Sequence, residues 1–125
     1  MRNQGLIKTH TADGAVGAYR IVVHGAADGN AAQAAGSTVM LMGVTDRLGA
    51  AVAGDRIDVV RSGIAEVEFG GTVARGDPLT SDASGRAVAA APAAGANAYV
   101  IGFAEVSGVL GDIGSAAIWP GRIQG

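Results

Sequence analysis

Hydrophobic positions along the chain fall into short runs rich in β-branched residues, each bounded by glycine, aspartate, asparagine or proline. Such runs are typical of β-strands separated by turns. No segment carries an apolar stripe at helical spacing, and the alanine-rich residues 87–98 contain Pro92 and Gly95, which would interrupt a helix. The pattern predicts a mainly β protein, a small single-domain β-barrel or β-sandwich. Strands are expected at residues 18–24, 31–35, 39–45, 56–60, 64–69, 78–81, 86–90, 99–107 and 113–119.

Residues 61–63, Arg-Ser-Gly, separate two alternating segments and predict a hairpin. A three-residue loop would pair Val60 with Ile64 and keep the apolar positions of both strands on one face. A two-residue loop would instead set Ile57 opposite Glu68. We therefore expect the three-residue loop, with Gly63 at positive φ. The core-facing residues would be Ile57, Val59, Ala65 and Val67.

Two further turn signals stand out. Residues 81–85 predict a second hairpin, in which Asp82 caps the turn and Gly85 takes positive φ. Gly-Asp also precedes a predicted strand three times, at residues 54–55, 76–77 and 111–112. The intervals are unequal, so we interpret Gly-Asp as a recurring turn and not as the unit of a solenoid.

The first 17 residues differ from the rest, because they are polar, contain glycine and are weakly patterned. We expect an extended N-terminal arm over residues 1–17 and a β-domain over residues 18–125. The arm is either a frayed terminus or a segment that becomes ordered on a neighbouring subunit. Its hydrogen-bonding amides, cations and apolar pair suit addition to a sheet edge. The candidate contact residues are Arg2, Asn3, Gln4, Leu6, Ile7 and Lys8.

Charge and composition narrow the functional classes. The chain has 125 residues, 9 basic and 11 acidic, and a net charge of −2. It lacks the basic stripe of an electrostatic nucleic-acid binder, so no nucleic-acid partner is expected. There is no cysteine, which excludes disulfides and thiolate metal sites. Val, Ile, Leu and Phe supply only 29 residues, so the core is thin and self-association is expected to contribute stability.

No signal peptide or membrane partner is expected either. The N-terminus has no apolar run behind it. Residues 87–104 are uncharged, but they consist mainly of alanine and are interrupted by proline and glycine, unlike a spanning helix.

Motifs for catalysis are missing. The sequence has neither a phosphate-binding loop nor the G-x-S-x-G turn of a serine hydrolase, so we predict no enzymatic activity and no cofactor. His10 and His24 lie too far apart for a metal-binding motif, and no metal site is expected. Glu66 and Glu68 alternate with apolar residues, as on a solvated strand face. The Arg-Gly-Asp of residues 75–77 is interpreted as part of the recurring turn.

Trp119 and Pro120 are the last candidate residues. With so few aromatic residues, most should lie in the core. Trp119 is therefore either a core residue or, because tryptophan is enriched at buried contacts, an interface anchor. We include Trp119 and Pro120 among the candidate contacts with a partner protein or with another subunit.

From residue 39 onward the chain contains a series of strand and turn segments: GVTD at 43–46, AGDRIDVV at 53–60, SGIA at 62–65, GDPLTSDASGRAV at 76–88, IGFA at 101–104 and GDI at 111–113. In these segments the sequence resembles the bacteriophage capsid cement, or head-decoration, proteins. The resemblance implies a small β-rich protein, often a trimer, on the outer surface of an icosahedral head. Such a protein is made in the host cytoplasm, clamps neighbouring major capsid subunits and stabilises the shell. This chain lacks the acidic, open-ended C-terminus of some members.

The functional prediction is therefore a virion protein that decorates the capsid as a homotrimer, with the major capsid protein as its partner. Two alternatives remain open: a tail or baseplate component with a β-barrel fold, and a β-barrel that binds a small molecule.

Overall fold

The computed structural model describes residues 3–125, with side chains from Gly5 onward. All its regular elements are strands, which confirms the expectation of a mainly β, single-domain protein. Accordingly, residues 3–125 include no helix long and apolar enough to cross a membrane. The strands are β1 (Asn3–Gln4), β2 (Ile7–Ala12), β3 (Ile21–His24), β4 (Asn30–Gln33), β5 (Leu41–Thr45), β6 (Arg56–Val60), β7 (Gly63–Glu68), β8 (Pro78–Ser81), β9 (Ala87–Ala89), β10 (Asn97–Ala104) and β11 (Ile113–Gln124).

These strands form a sheet and a barrel. The sheet has six strands in the order β1-β7-β11-β10-β8-β9, and β2, β4, β3, β5 and β6 close into the barrel. Neighbouring strands are antiparallel, except that β2 and β4 run parallel, with Thr11 opposite Asn30. Since β2 pairs with both β4 and β6, it is the strand that closes the barrel.

Two hydrophobic clusters fill the fold. One consists only of residues from the barrel and its loops: Ala12, Val16, Val22, Ala31, Met42, Ala50, Ile57 and Val59. The other joins barrel residues such as Ile21 and Val44 to sheet residues such as Val67 and Ala116, with the fully buried Phe69 as its largest side chain. The barrel therefore covers one face of the sheet, and the opposite face is left to solvent.

The structure corrects the expected arm. β2 lies in the barrel, paired with β6 from Ile7 to Thr11, and His10, Ala12 and Val16 are buried. The accessible surface of 6157 Å² is close to the roughly 6,000 Å² of a compact monomer of this mass. A domain boundary at residue 17 would separate β2, which closes the barrel, from the rest of the barrel. The sequence pattern does not reveal this strand, because its buried positions carry histidine and alanine, which do not stand out as core residues.

The hairpin expected at residues 61–63 is also wrong in its pairing. β6 pairs with β2 and β5 in the barrel, and β7 pairs with β1 and β11 in the sheet. Residues 61 and 62 thus carry the chain from one layer to the other. Two parts of the prediction are confirmed: Gly63 has a φ of +93°, and the four proposed core residues are all buried.

The second hairpin and the recurring turn are confirmed. β8 pairs with β9, Gly85 has a φ of +76°, and the Asp82 carboxylate accepts from the Ser84 and Arg86 amides at 2.8 and 2.9 Å. All three Gly-Asp turns have glycine at a φ of +90° to +92°. In each, one aspartate oxygen accepts from a backbone amide three residues earlier, at 2.9–3.2 Å. The aspartate side chain of each Gly-Asp turn therefore caps the turn in which it lies.

Glu68 is not on the solvated face predicted for it. Its carboxylate lies 3.3 Å from Arg20 of the barrel side and 3.6 Å from Arg86 beside β9. All three side chains are partly shielded from solvent. The ion pairs thus join barrel, sheet and second hairpin at one corner of the molecule.

Candidate docking groove

A bulge in β11 presents Trp119 to solvent. β11 pairs with β10 at Gly121 and again at Ile118, opposite Val100 and Gly102. Two residues of β11, Trp119 and Pro120, therefore face a single residue of β10. Proline is tolerated in a central strand at such a bulge, because its missing amide falls where the ladder is already interrupted. The Trp119 side chain is 76% exposed.

The bulge borders an open apolar groove of about 610 Å³. Its floor comes from the paired segments of β7 and β11, where Ile64 lies opposite Ala117 and Gly63 opposite Ile118. None of the described lining residues is charged. The lining residues are Ser62, Gly63, Ile64, Ala117, Ile118, Trp119 and Pro120.

Gly102 allows β10 to approach β11 beside this groove. Its φ is +154°, and a Cβ there would overlap the Ala117 carbonyl oxygen and lie 3.0 Å from the Trp119 amide nitrogen. Only glycine fits such a close backbone approach without displacement. The position of Trp119 therefore depends on a glycine in the neighbouring strand.

The groove continues into an apolar row across the outer face of the sheet. Successive pairings align Ile64, Ala117, Phe103 and Pro78 on β7, β11, β10 and β8. Their neighbours Ala65, Ala116 and Leu79 are buried, so the row lies on the face opposite the barrel. Phe103 is 44% exposed. The row and the groove together form a continuous apolar surface, which we call the sheet face.

The structure brings the two predicted sets of contact residues close together. Asn3 pairs with Ile64 and Gln4 with Gly63, and both partners line the groove beside Trp119 and Pro120. The Leu6 amide donates to the Ser62 hydroxyl at 3.1 Å, and Ser62 also lines the groove. Arg2 lies outside the described residues.

Leu6, Ile7 and Lys8 are exposed on the barrel side of this junction, with Leu6 at 57% and Ile7 at 44%. Phe103 and Ile64 were missed as candidate residues. The sequence signal that could have found them is Trp-Pro inside a strand pattern, which indicates a bulge next to an exposed face.

Residues 3–125 contain no cluster of three or more potential metal-binding side chains. His10 is buried, its Nδ1 lies 3.2 Å from the Gly29 carbonyl oxygen, and its Nε2 has no partner among the described residues. Burial lowers the pKa of His10, and the nearby cations Arg61 and Lys8 lower it further. His10 is therefore a neutral barrel residue at physiological pH.

The Arg-Gly-Asp segment behaves as a turn. The Asp77 carboxylate accepts from the Ala74 amide at 2.9 Å, and the Asp77 amide donates to the Ala74 carbonyl at 3.0 Å. The aspartate thus closes its own turn, as the sequence indicated.

No protein-family model matches the chain, and no curated protein matches it. Among solved structures, its fold is similar to the N base of the head fiber gp8.5 of bacteriophage phi29, with a TM-score of 0.68 and 21% sequence identity. The likeness covers 96% of this chain and 98% of that chain. It shows that the two share one fold over their whole compared length.

Proposed function

We propose that this protein is a structural component of a bacteriophage head. It decorates the outer surface of the capsid as a homotrimer and stabilises the shell by clamping neighbouring major capsid subunits. The observation that carries the proposal is the fold shared with a phage head fiber base over nearly the whole chain. The resemblance of residues 43–113 to cement proteins supports the same role.

A trimer that clamps the shell needs one surface for the shell and one for its own subunits, and the exposed apolar residues supply two. The sheet face contains Trp119, Phe103 and the groove. On the barrel side, Leu6 and Ile7 are exposed next to Lys8. Monomeric proteins seldom leave contiguous apolar patches to solvent unless the patches bind something. We assign the barrel-side residues, together with Arg2, Asn3 and Gln4, to contact with the shell.

The alternatives have less support. The phage protein with this fold is described as a head fiber, which favours a head over a tail or baseplate location. A barrel that carries a small molecule needs an internal cavity, whereas this barrel is filled by buried side chains such as Met42, Val22 and Val59. The groove lies on the outer face of the sheet and opens to solvent.

The test is co-sedimentation of the purified protein with undecorated phage heads. The wild-type chain should sediment with the heads in a fixed ratio to capsid subunits. The double substitution Leu6→Ser and Ile7→Ser should weaken this binding at least tenfold, about 1.4 kcal/mol. Deletion of the segment is unsuitable, because β2 is needed to close the barrel.

The matched control is Val39→Ser with Met40→Ser, another adjacent pair of exposed apolar residues, at 56% and 52%. This control should bind heads as the wild type does. Equal binding by both double variants would show that Leu6 and Ile7 are not the shell contact. No binding by the wild-type protein would overturn the proposed decoration.

A further inference from the structure

Trp119 is the chain's single tryptophan and one of its most exposed large side chains. A tryptophan side chain buries about 150–250 Å² when it is covered, so water is an unfavourable environment for most of its surface. Pro120 and the close approach of Gly102 fix the bulge that holds Trp119 outward. The fold thus maintains this exposure by backbone geometry.

The groove next to Trp119 suits an aromatic side chain. Its described lining residues are uncharged and mainly apolar, with Ile64, Ala117 and Ile118 along β7 and β11. The Ser62 hydroxyl already accepts a hydrogen bond from the Leu6 amide, and this bond would remain when an apolar side chain fills the groove. Pockets that bind cofactors usually contain several polar groups that point towards the ligand. The described residues of this groove provide few such groups.

The charge distribution favours a second copy of this chain as the occupant. Two copies of a chain with a net charge of −2 repel each other weakly, and a neutral contact surface keeps like charges out of the interface. The described residues of the groove and of the apolar row are neutral. Glu66, opposite Ser115, and Glu105, whose amide donates to the Ser115 carbonyl, lie one row further along the sheet, outside the groove. Neither carboxylate has an ion-pair partner within the described part of the chain.

The size of the sheet face fits the centre of an interface between subunits. It spans four strands, about 4.8 Å apart, and four residues of β11 at about 3.4 Å each, which gives roughly 200 Å² in projection. A standard interface buries roughly 800 Å² on each partner. The sheet face is therefore large enough for the buried centre, with polar residues around it.

We propose that Trp119 of one copy inserts into the groove of a neighbouring copy, so that the sheet face is the self-association surface. Each copy has both the protruding indole and the groove. In a closed ring, every chain can therefore insert its indole into one neighbour and accept the indole of the other neighbour in its groove. This inference rests on the self-association included in the proposed function. It leaves Leu6 and Ile7 free for the shell.

Trp119 is itself the probe for the test, since it accounts for all tryptophan fluorescence of the full-length protein. Sedimentation and fluorescence are followed over one dilution series. Dissociation should lower the mass and shift the emission to longer wavelength at the same concentrations. Quenching by acrylamide should increase in parallel.

Two variants test the contact and one controls for exposure. Trp119→Ala should weaken association at least about tenfold, the scale of an interface hot spot. Ala117→Arg, which puts a charge on the groove floor, should do the same while its Trp119 stays exposed at all concentrations. Leu48→Ala removes a side chain of equal exposure, 76%, from a barrel loop and should leave association unchanged. Far-UV circular dichroism checks that each variant is folded.

Three results would overturn the inference. Association of Trp119→Ala equal to that of the wild type would place the interface elsewhere. A short-wavelength, quencher-protected emission from the dissociated monomer would mean that the groove is covered within one chain. A wild-type protein that never associates would overturn both this contact and the trimer, whereas head decoration is judged separately by co-sedimentation.

Discussion

Substitution of Gly102 by alanine tests the geometry that holds Trp119 in place. Gly102 has a φ of +154°, and a residue with a side chain in such a sparsely populated region costs about 1–3 kcal/mol. The added Cβ would also overlap the Ala117 carbonyl oxygen, and overpacking of this kind costs typically about 1–3 kcal/mol more. The expected loss of unfolding free energy is the sum of these two costs, about 2–6 kcal/mol.

Two other glycines separate these contributions. Gly54 has a φ of +92°, and an added Cβ would have no neighbour within 4 Å, so Gly54→Ala should cost only the backbone strain, about 1–2 kcal/mol. Gly14 has open space and no positive φ in the strained range. Gly14→Ala should change stability by less than about 0.5 kcal/mol or increase it slightly.

The assay is urea denaturation followed by far-UV circular dichroism, at one fixed protein concentration because association would add to the apparent stability. The predicted order of midpoints is Gly14→Ala, then Gly54→Ala, then Gly102→Ala as the lowest. Gly102→Ala should also change the emission of Trp119, since the two backbones are adjacent. A Gly102→Ala midpoint equal to that of Gly54→Ala would refute the close approach of β10 and β11.

Three further predictions concern turns and pH. Gly63→Val should destabilise by about 1–2 kcal/mol and Gly63→Asn by less, because asparagine tolerates positive φ, and equal melting temperatures would contradict this. Asp112→Ala should cost about 0.5–1.5 kcal/mol through loss of the bond to the Val109 amide, whereas Glu105→Ala, measured by the same denaturation, should cost almost nothing. Burial holds the pKa of folded His10 below the ordinary value of 6.5, so the unfolded chain binds the proton first as the pH falls. The free energy of unfolding should therefore be constant above about pH 6.5 and fall below it. His10→Gln should reduce this fall, as measured by urea midpoints from about pH 7.5 to about pH 5.5.

The strands predicted well from sequence are those whose local pattern is strong. β6 alternates polar and apolar side chains, and its bounds are those predicted. β2 lacks this alternation: its first three residues are exposed and its buried positions are His10 and Ala12, so hydrophobicity alone does not reveal it. β11 was expected to end at Trp119, whereas the bulge accommodates Pro120 and the strand continues to Gln124.

The pairing of strands depends on residues far apart in the chain. A three-residue connection with Gly63 at positive φ is compatible with a hairpin and also with a passage between two layers. β2 occupies one edge of β6 and β11 one edge of β7, and these competing partners decide the outcome. The same reason explains why Trp119 could be proposed as a contact but its groove could not: the floor joins Ile64 to Ala117, which meet only through that pairing.

The most direct test of the account is an electron cryo-microscopy reconstruction of undecorated heads mixed with the purified protein. New density is expected on the outer capsid surface, into which the barrel and sheet fit, with the Leu6–Ile7 side towards the capsid subunits and Trp119 between neighbouring copies. A shell indistinguishable from undecorated heads would contradict the account, and so would density confined to the tail.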